Sequence, residues 1–375
     1  MELGEASMDF EPGVLRNEER IIFALRSLYA RYGYAPYHMS KFEEYDLYVR
    51  NKDFLISSDV ITFTDTNGKL KALKPDVTLS IVRSSRLAPG ELKKLYYDEN
   101  VYRVSGGSRG FKEIMQVGLE CLGAVDDYCL GEVLLLAAES LRLLSPENRL
   151  NISHLGLVGA LLEELPLSGE TRSRALRCIA EKNLHELAAL GREAGAPAAA
   201  LERLCRLVQT AGAPEAVLPE LRALGCPEEA VSQLARLTSL LREGGVGDAL
   251  CIDFSVLGDL RYYNGVAFNG FVKGVPQSVI SGGQYDKLLE RMGQKGRAVG
   301  FAVYLDRLDH LDPGTRKNDA DTVLLYDEGA DPLLVAAAVR ALAAEGRVLA
   351  LKSLPEGLRC GRCLKLTESG VIPLA

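Results

Sequence analysis

The 375-residue sequence has no apolar run approaching the ~20 residues a membrane-spanning helix requires. Its first stretch, MELGEASMDFEPG, is acidic and lacks the basic-then-apolar order of a secretory signal, so a cytoplasmic location is expected. A disulfide framework is missing as well. The eight cysteines (Cys121, Cys129, Cys178, Cys205, Cys226, Cys251, Cys360, Cys363) are scattered as reduced core thiols would be. Only Cys360 and Cys363 form a C-x-x-C, and with no second ligand pair nearby neither a structural zinc nor another metal is expected there. Positive charge is not in excess: 44 Lys and Arg against 51 Asp and Glu leave a net charge of −7, which argues against broad nucleic-acid binding.

What is present is ordinary globular material, 47% hydrophobic and 25% charged, in a chain long enough for two or three domains. The most informative stretch is Leu95 to Glu120, LYYDENVYRVSGGSRGFKEIMQVGLE. An aromatic and β-branched run closes a basic loop at Gly106, Gly107 and Gly110 and resumes toward Gln116 and Glu120, which predicts a long hairpin. Arg103 falls on the outgoing strand. On the return strand the period of two places Gln116, Gly118 and Glu120 on one face. A guanidinium holds a carboxylate or phosphate and a carboxylate with an amide holds an ammonium, so this surface suits a small zwitterion or a nucleotide. The competing reading is an antiparallel pair with one solvated face.

Around the hairpin, Asn17 to Tyr32 has the spacing of an amphipathic helix with an acidic first turn. Tyr34 to Tyr48 reads as extended, and Ile56 to Thr64 with the turn Thr66-Asn67-Gly68 as a hairpin. Thr78 to Arg86 looks helical, with Asp76 and Thr78 near its start, where both are also ordinary capping residues. Asp126 to Leu144 predicts an apolar helix closing a first lobe. From Leu157 to Arg242 short breaks at Pro166, Gly195-Ala196-Pro197, Gly212-Ala213-Pro214 and Gly225-Cys226-Pro227 separate helical stretches, read as an inserted all-α domain. Strands follow at Ala249–Ser255, Arg261–Phe268, Val279–Asp286 and Ala298–Val303, then a helix from Tyr304 or Leu305. Tyr262, Tyr263 and Tyr285 stand where Gly265, Gly282, Gly283 and Gly300 permit close approach to a ligand; tyrosines bridging sheet and solvent are the other reading. The expected divisions are 1–150 and 247–314 for the two parts of one core, 151–246 for the helical insertion and 315–375 for a small α/β region.

The ordered motifs Lys74-Pro75-Asp76-Val77-Thr78, Val101-Tyr102-Arg103, Gln116-Val117-Gly118-Leu119-Glu120, Tyr262-Tyr263-Asn264-Gly265, Gly282-Gly283-Gln284-Tyr285-Asp286 and Val299-Gly300-Phe301 to Arg307 resemble the catalytic core of the histidyl-tRNA synthetase family over residues 10–310. The resemblance implies an α+β fold, a class II aminoacyl-tRNA synthetase-like antiparallel sheet flanked by helices with a helical insertion. It also implies a homodimer built partly through the first helix and the strand after it. Histidine would be held by Asp76, Thr78 and Gln116 at its α-ammonium and by Glu120 with Tyr262, Tyr263 and Tyr285 around its imidazole. Arg103 and Arg307 would remain for a carboxylate or nucleotide.

Departures from the family pattern shape the functional expectation. Where the synthetases carry R-G-L-D before the tyrosine pair, this sequence has Gly258-Asp259-Leu260-Arg261, so glycine replaces an arginine used in activating the amino acid. Losing a fixed cation where phosphorus charge develops costs several kcal/mol of transition-state stabilisation. Ser105 stands where a nucleotide-binding glutamate is usual, Gly110 or Lys112 where a loop arginine is usual, and Ser40 where the dimer motif has proline. Beyond Arg307 there is one β-α-β unit, Thr322 to Leu351, instead of a full anticodon-binding domain. A kept amino-acid pocket beside an altered activation site resembles the regulatory subunits of ATP phosphoribosyltransferase. That implies a non-catalytic protein that assembles with short-form catalytic subunits and binds L-histidine for feedback, with no cofactor and no tRNA binding. A divergent histidyl-tRNA synthetase is the alternative.

Overall fold

The computed structural model describes residues 15–51, 60–104, 110–258, 263–308, 318–367 and 369–374. In chain order the first elements are α1 (Asn17–Arg31), β1 (Ala35–Pro36), β2 (Phe42–Glu44), α2 (Tyr45–Arg50), β3 (Thr62–Thr64), β4 (Leu70–Leu73) and α3 (Thr78–Ser84). The long strands β5 (Leu92–Val104) and β6 (Phe111–Gly123), then α4 (Asp127–Leu144) and β7 (Asn148–His154), complete the first half of the sheet. Helices α5 (Leu155–Glu163), α6 (Gly169–Ala180), α7 (Leu184–Glu193) and α8 (Ala198–Gln209) follow, then β8 (Ala211–Gly212), α9 (Pro214–Ala223) and α10 (Glu228–Glu243). The chain returns to the sheet through β9 (Leu250–Asp253), β10 (Val266–Val272), β11 (Ile280–Gln284), α11 (Asp286–Arg291) and β12 (Arg297–Tyr304).

Nine strands make one sheet in the order β1-β5-β6-β12-β11-β10-β7-β9-β8. Its centre is antiparallel, but β1 runs parallel to β5 and β7 parallel to β9, so the sheet is mixed where the family resemblance implied an antiparallel one. Side chains on β6 alternate between two packed layers. Val117, Leu119 and Cys121 join a core with α1 and α4, while Ile114 and Leu122 join a second core with α3 and α11. Burial on both faces removes the reading of the hairpin as a strand pair with one solvated face. Gln116 and Glu120 lie between Ile114 and Leu122 on the second face and are 3% and 1% exposed.

Three local expectations are corrected. Tyr45–Arg50 is a helical turn and not extended chain, with Leu47 and Tyr48 buried against Ala72 and Val77. The stretch from α5 to α10 is not purely helical, since Ala211–Gly212 pairs with β9, and its buried leucines belong to the same core as β6 and α4. After β12 the described chain makes only a 3₁₀ turn, Leu305–Arg307, where a helix was expected.

Two compact units divide the chain, Met1–Leu311 and Asp312–Ala375. The second contains β13 (Ala320–Leu325), α12 (Pro332–Ala343), β14 (Val348–Leu351), β15 (Cys360–Thr367) and β16 (Gly370–Pro373). β13 and β14 are parallel, as a β-α-β unit requires, and the order β14-β13-β15-β16 adds two strands that the sequence reading did not anticipate. Among the described residues no helix is long and apolar enough to cross a membrane.

Candidate functional site

Register determines which side chains can meet on the second face of the sheet, because directly paired residues of antiparallel strands project to the same side. Glu120 pairs with Leu95 and Gly300, Gly118 with Tyr97 and Ala302, and Gln116 with Glu99 and Tyr304. Arg103 lies further along the same face of β5, opposite Lys112. Glycines at 118 and 300 leave space above the sheet that the Tyr97 ring and the Glu120 carboxylate fill. A Cβ on Gly300 would overlap the Glu120 carboxylate, and one on Gly118 would lie 2.6 Å from the Tyr97 ring, so glycine is required at both for these side chains to lie flat.

Glu120 is the centre of the cluster. The Thr78 hydroxyl donates to its Oε1 at 2.6 Å and the Tyr285 hydroxyl donates to its Oε2. Burial opposes its charge, and despite both hydrogen bonds its pKa is pushed up to about 8. A buried carboxylate of this kind favours a cationic ligand group, which would restore its ionised form.

Asp76 occupies the entry to α3, where its Oδ1 accepts from the Leu79 amide at 2.8 Å. The capping reading is therefore correct for Asp76, yet it does not account for the 6% exposure of the carboxylate or for its raised pKa, caused first by burial and partly offset by the Leu79 amide and the Arg103 charge. Thr78 is the first residue of α3 and gives its hydroxyl to Glu120. Arg103 reaches back to the same segment, its Nε donating to the Pro75 carbonyl at 3.3 Å, and its Nη2 is buried without a partner. Arg307 stacks on Tyr304 with its guanidinium carbon 4.0 Å from the ring centroid and donates to the Ser278 carbonyl.

Tyr263 stands in a slot between two glycines. Cβ atoms built on Gly258 and Gly283 would each lie 2.6 Å from its ring. Gly258 has φ +55°, a left-handed conformation that L side chains adopt at a cost. Burial, then the neighbouring Tyr304 and Glu120, hold the Tyr263 hydroxyl neutral. The adjoining backbone is pinned by Asp286. Its carboxylate accepts from Asn264 Nδ2 at 3.0 Å, Gln284 Nε2 at 2.6 Å and the Ala298 amide at 2.8 Å, and its amide donates to Asn264 Oδ1 at 2.7 Å.

The structure thus gathers Asp76, Thr78, Gln116, Glu120, Tyr263 and Tyr285 on one side of the sheet, with Arg103 and Arg307 toward the hairpin-tip end; Tyr262 and Ser105 lie outside the described residues. Sequence reasoning missed Tyr97 and Tyr304, both buried on the same face with hydroxyls held neutral, first by desolvation. The signal for Tyr97 was available: it has the same strand parity as Arg103. Asp286, which ties Asn264 beside Tyr263 to the start of α11 beside Tyr285, was seen only as part of a motif. Cys360 and Cys363, three apart on β15, point to opposite faces of a strand, and among the described residues no group of three or more His, Cys, Asp or Glu is placed to hold a metal ion.

Residues 7–308 match the family model described as histidyl-tRNA synthetase. An ATP phosphoribosyltransferase regulatory subunit from Synechococcus sp. (strain JA-3-3Ab) is 31% identical over 324 residues, covering 83% of this chain and 76% of that protein. Among solved structures, an ATP phosphoribosyltransferase regulatory subunit/histidyl-tRNA synthetase from Bacillus halodurans superposes with a TM-score of 0.73 at 24% identity, covering 92% of this chain and 93% of that one. An ATP phosphoribosyl transferase complex from Thermotoga maritima contains a chain that matches with a TM-score of 0.62 at 22% identity, over 77% of this chain and 97% of that chain. These last two likenesses concern the fold.

Proposed function

The chain belongs to the histidyl-tRNA synthetase family, in the branch that includes the ATP phosphoribosyltransferase regulatory subunits, and on that premise we propose that it is a non-catalytic subunit which binds L-histidine and passes feedback to a short-form ATP phosphoribosyltransferase at the first step of histidine biosynthesis. One observation carries the reading. The Asp76–Thr78–Glu120–Tyr285 cluster is complete, while the position of the activating arginine is a left-handed glycine packed on Tyr263. Histidine's ammonium faces Asp76 and Gln116, its imidazole reaches Glu120 and the tyrosines, and its carboxylate takes the unpartnered Nη2 of Arg103. Catalysis belongs to the partner subunit. Self-association fits Phe23 on α1 and Phe42 and Phe63 on the β2-β4-β3 sheet, all exposed, the last two packed edge-on at 5.3 Å between centroids.

Calorimetry with L-histidine and with ATP, each titrated separately into the purified chain, tests the ligand. Phosphoribosyltransferase assays of the reconstituted complex across histidine concentrations test the role. The second reading, a divergent histidine-activating enzyme, draws on Arg103 and Arg307, which together suit a phosphate. Histidine-dependent exchange of pyrophosphate into ATP by the isolated chain would establish that reading and overturn the first.

A further inference from the structure

We infer that Lys74 and Glu99 are positioning residues for the pocket: a buried ion pair that fixes where Asp76 presents its carboxylate and ties that wall to the chain around Met39–Lys41. The inference builds on the histidine reading and concerns residues that touch no proposed ligand group. Lys74 is fully buried, and its Nζ meets Glu99 Oε2 at 2.5 Å. Glu99 lies on the pocket face of β5 between Tyr97 and Arg103, in register with Gln116. Its other oxygen accepts from the Met39 amide at 3.3 Å and lies 3.7 Å from His38 Nδ1.

Backbone bonds show what this pair holds in place. The Lys74 amide donates to the Lys41 carbonyl at 3.2 Å, the Tyr102 amide donates to the Lys74 carbonyl at 2.9 Å, and Arg103 Nε donates to the Pro75 carbonyl. Pro75 has a fixed φ, so the direction in which the chain leaves Lys74 sets the position of Asp76 and the start of α3. A buried ion pair seldom outperforms two apolar side chains in stability, because desolvation offsets the attraction. What it adds here is direction. An ammonium held by one carboxylate oxygen, while the other oxygen holds the Met39 amide, permits one arrangement of the three segments.

The test separates position from stability. In the full chain, Lys74→Met with Glu99→Leu removes both charges and leaves no orphaned ion, and its melting temperature is expected within about 5 °C of wild type. Positioning predicts roughly tenfold faster hydrogen exchange at the Leu79 amide in the ligand-free protein and roughly tenfold weaker L-histidine binding by calorimetry. A folded double variant with wild-type exchange at Leu79, or with wild-type histidine affinity, overturns the inference. Should the double variant not fold, Glu99→Gln, nearly identical in shape, is judged by the same exchange measurement. If the wild-type chain binds no histidine, the histidine reading fails, and exchange at Leu79 still decides the role of the pair.

Discussion

The two ends of the candidate site differ in how their charge is handled. At the Glu120 end a buried carboxylate receives two hydroxyl donors, and the adjoining Asp76 accepts the Leu79 amide at the start of a helix, so both carboxylates are held in place. On the Gly258 side the Tyr263 ring lies where a side chain at 258 would begin, 2.6 Å from a built Cβ. Burial of charge is costly, so a chain retains a desolvated carboxylate pair only where something compensates it, and a cationic ligand group does so. The contrast teaches that Gly258 is more than a deletion. Its backbone and its contact with Tyr263 are built around having no side chain, so on the histidine-binding proposal the activation half is rebuilt and the recognition half kept.

The largest expected effect comes from forcing the two halves to match. Gly258→Arg places an L side chain at φ +55° and drives a Cβ into the Tyr263 ring, which is expected to cost about 2 kcal/mol or more of stability. The variant is expected to melt lower and still to show no pyrophosphate exchange. Exchange activity at unchanged stability would mean that the arginine is accommodated and that the halves differ less than the geometry implies. Next in size, Glu120→Ala leaves the Thr78 and Tyr285 hydroxyls and the bound ligand without their acceptor. It is expected to weaken histidine binding by at least ~2 kcal/mol, about thirtyfold, in a calorimetric titration. Unchanged affinity would remove Glu120 from the pocket.

Asp76→Asn tests whether the recognition half transmits its signal. The amide oxygen still caps Leu79, so the fold and the assembled complex are expected to persist while the charge facing an ammonium is gone. Feedback is expected to shift to roughly tenfold higher histidine, within the ~1 to 3 kcal/mol typical of coupling energies. Coincident inhibition curves for wild type and variant would show that the signal does not pass through Asp76.

Much of this was legible in the sequence wherever a simple period or a fixed spacing applied. The period of two on β6 was enough to place Gln116, Gly118 and Glu120 together, and Asn17–Tyr32 revealed α1 to within one residue by its helical spacing. What escaped notice depended on the partner strand. Glu99 acquires meaning only through its register with Gln116, and Lys74 only through burial opposite Glu99. Likewise Gly258 read as an absence, since a left-handed backbone and a neighbouring ring cannot be inferred from the residue itself. The helices from α5 to α10 read as separate because their leucine periodicity is complete, yet the same leucines share a core with β6 and α4.

The sharpest test of the electrostatics is the pH dependence that Glu120 imposes. With its pKa at about 8 in the folded chain, Glu120 retains a proton through a range where an unfolded carboxylate has already lost it. The folded state then binds more protons than the unfolded one between the ordinary carboxylate range and about pH 8, so this contribution to stability is complete below that range and is lost as pH rises through about 8. Asp76, also raised by burial, acts in the same direction. The ligand-free chain is therefore expected to melt at progressively lower temperature from about pH 5 to about pH 8, and Glu120→Gln, which cannot ionise, to flatten the slope. In the proposed pose the imidazole meets Glu120, and a proton shared between them is held as a carboxylate–imidazolium pair. Near neutral pH that proton comes from Glu120 itself, whereas above about pH 8, where both groups are unprotonated when free, histidine binding is expected to take up to about one proton, measured by calorimetry in buffers of different ionisation enthalpy, and Glu120→Gln to abolish that uptake. Equal slopes and equal proton uptake in wild type and Glu120→Gln would mean that this carboxylate neither keeps its proton in the free chain nor meets the imidazole, and the difference between the two ends of the site would then rest on Asp76 alone.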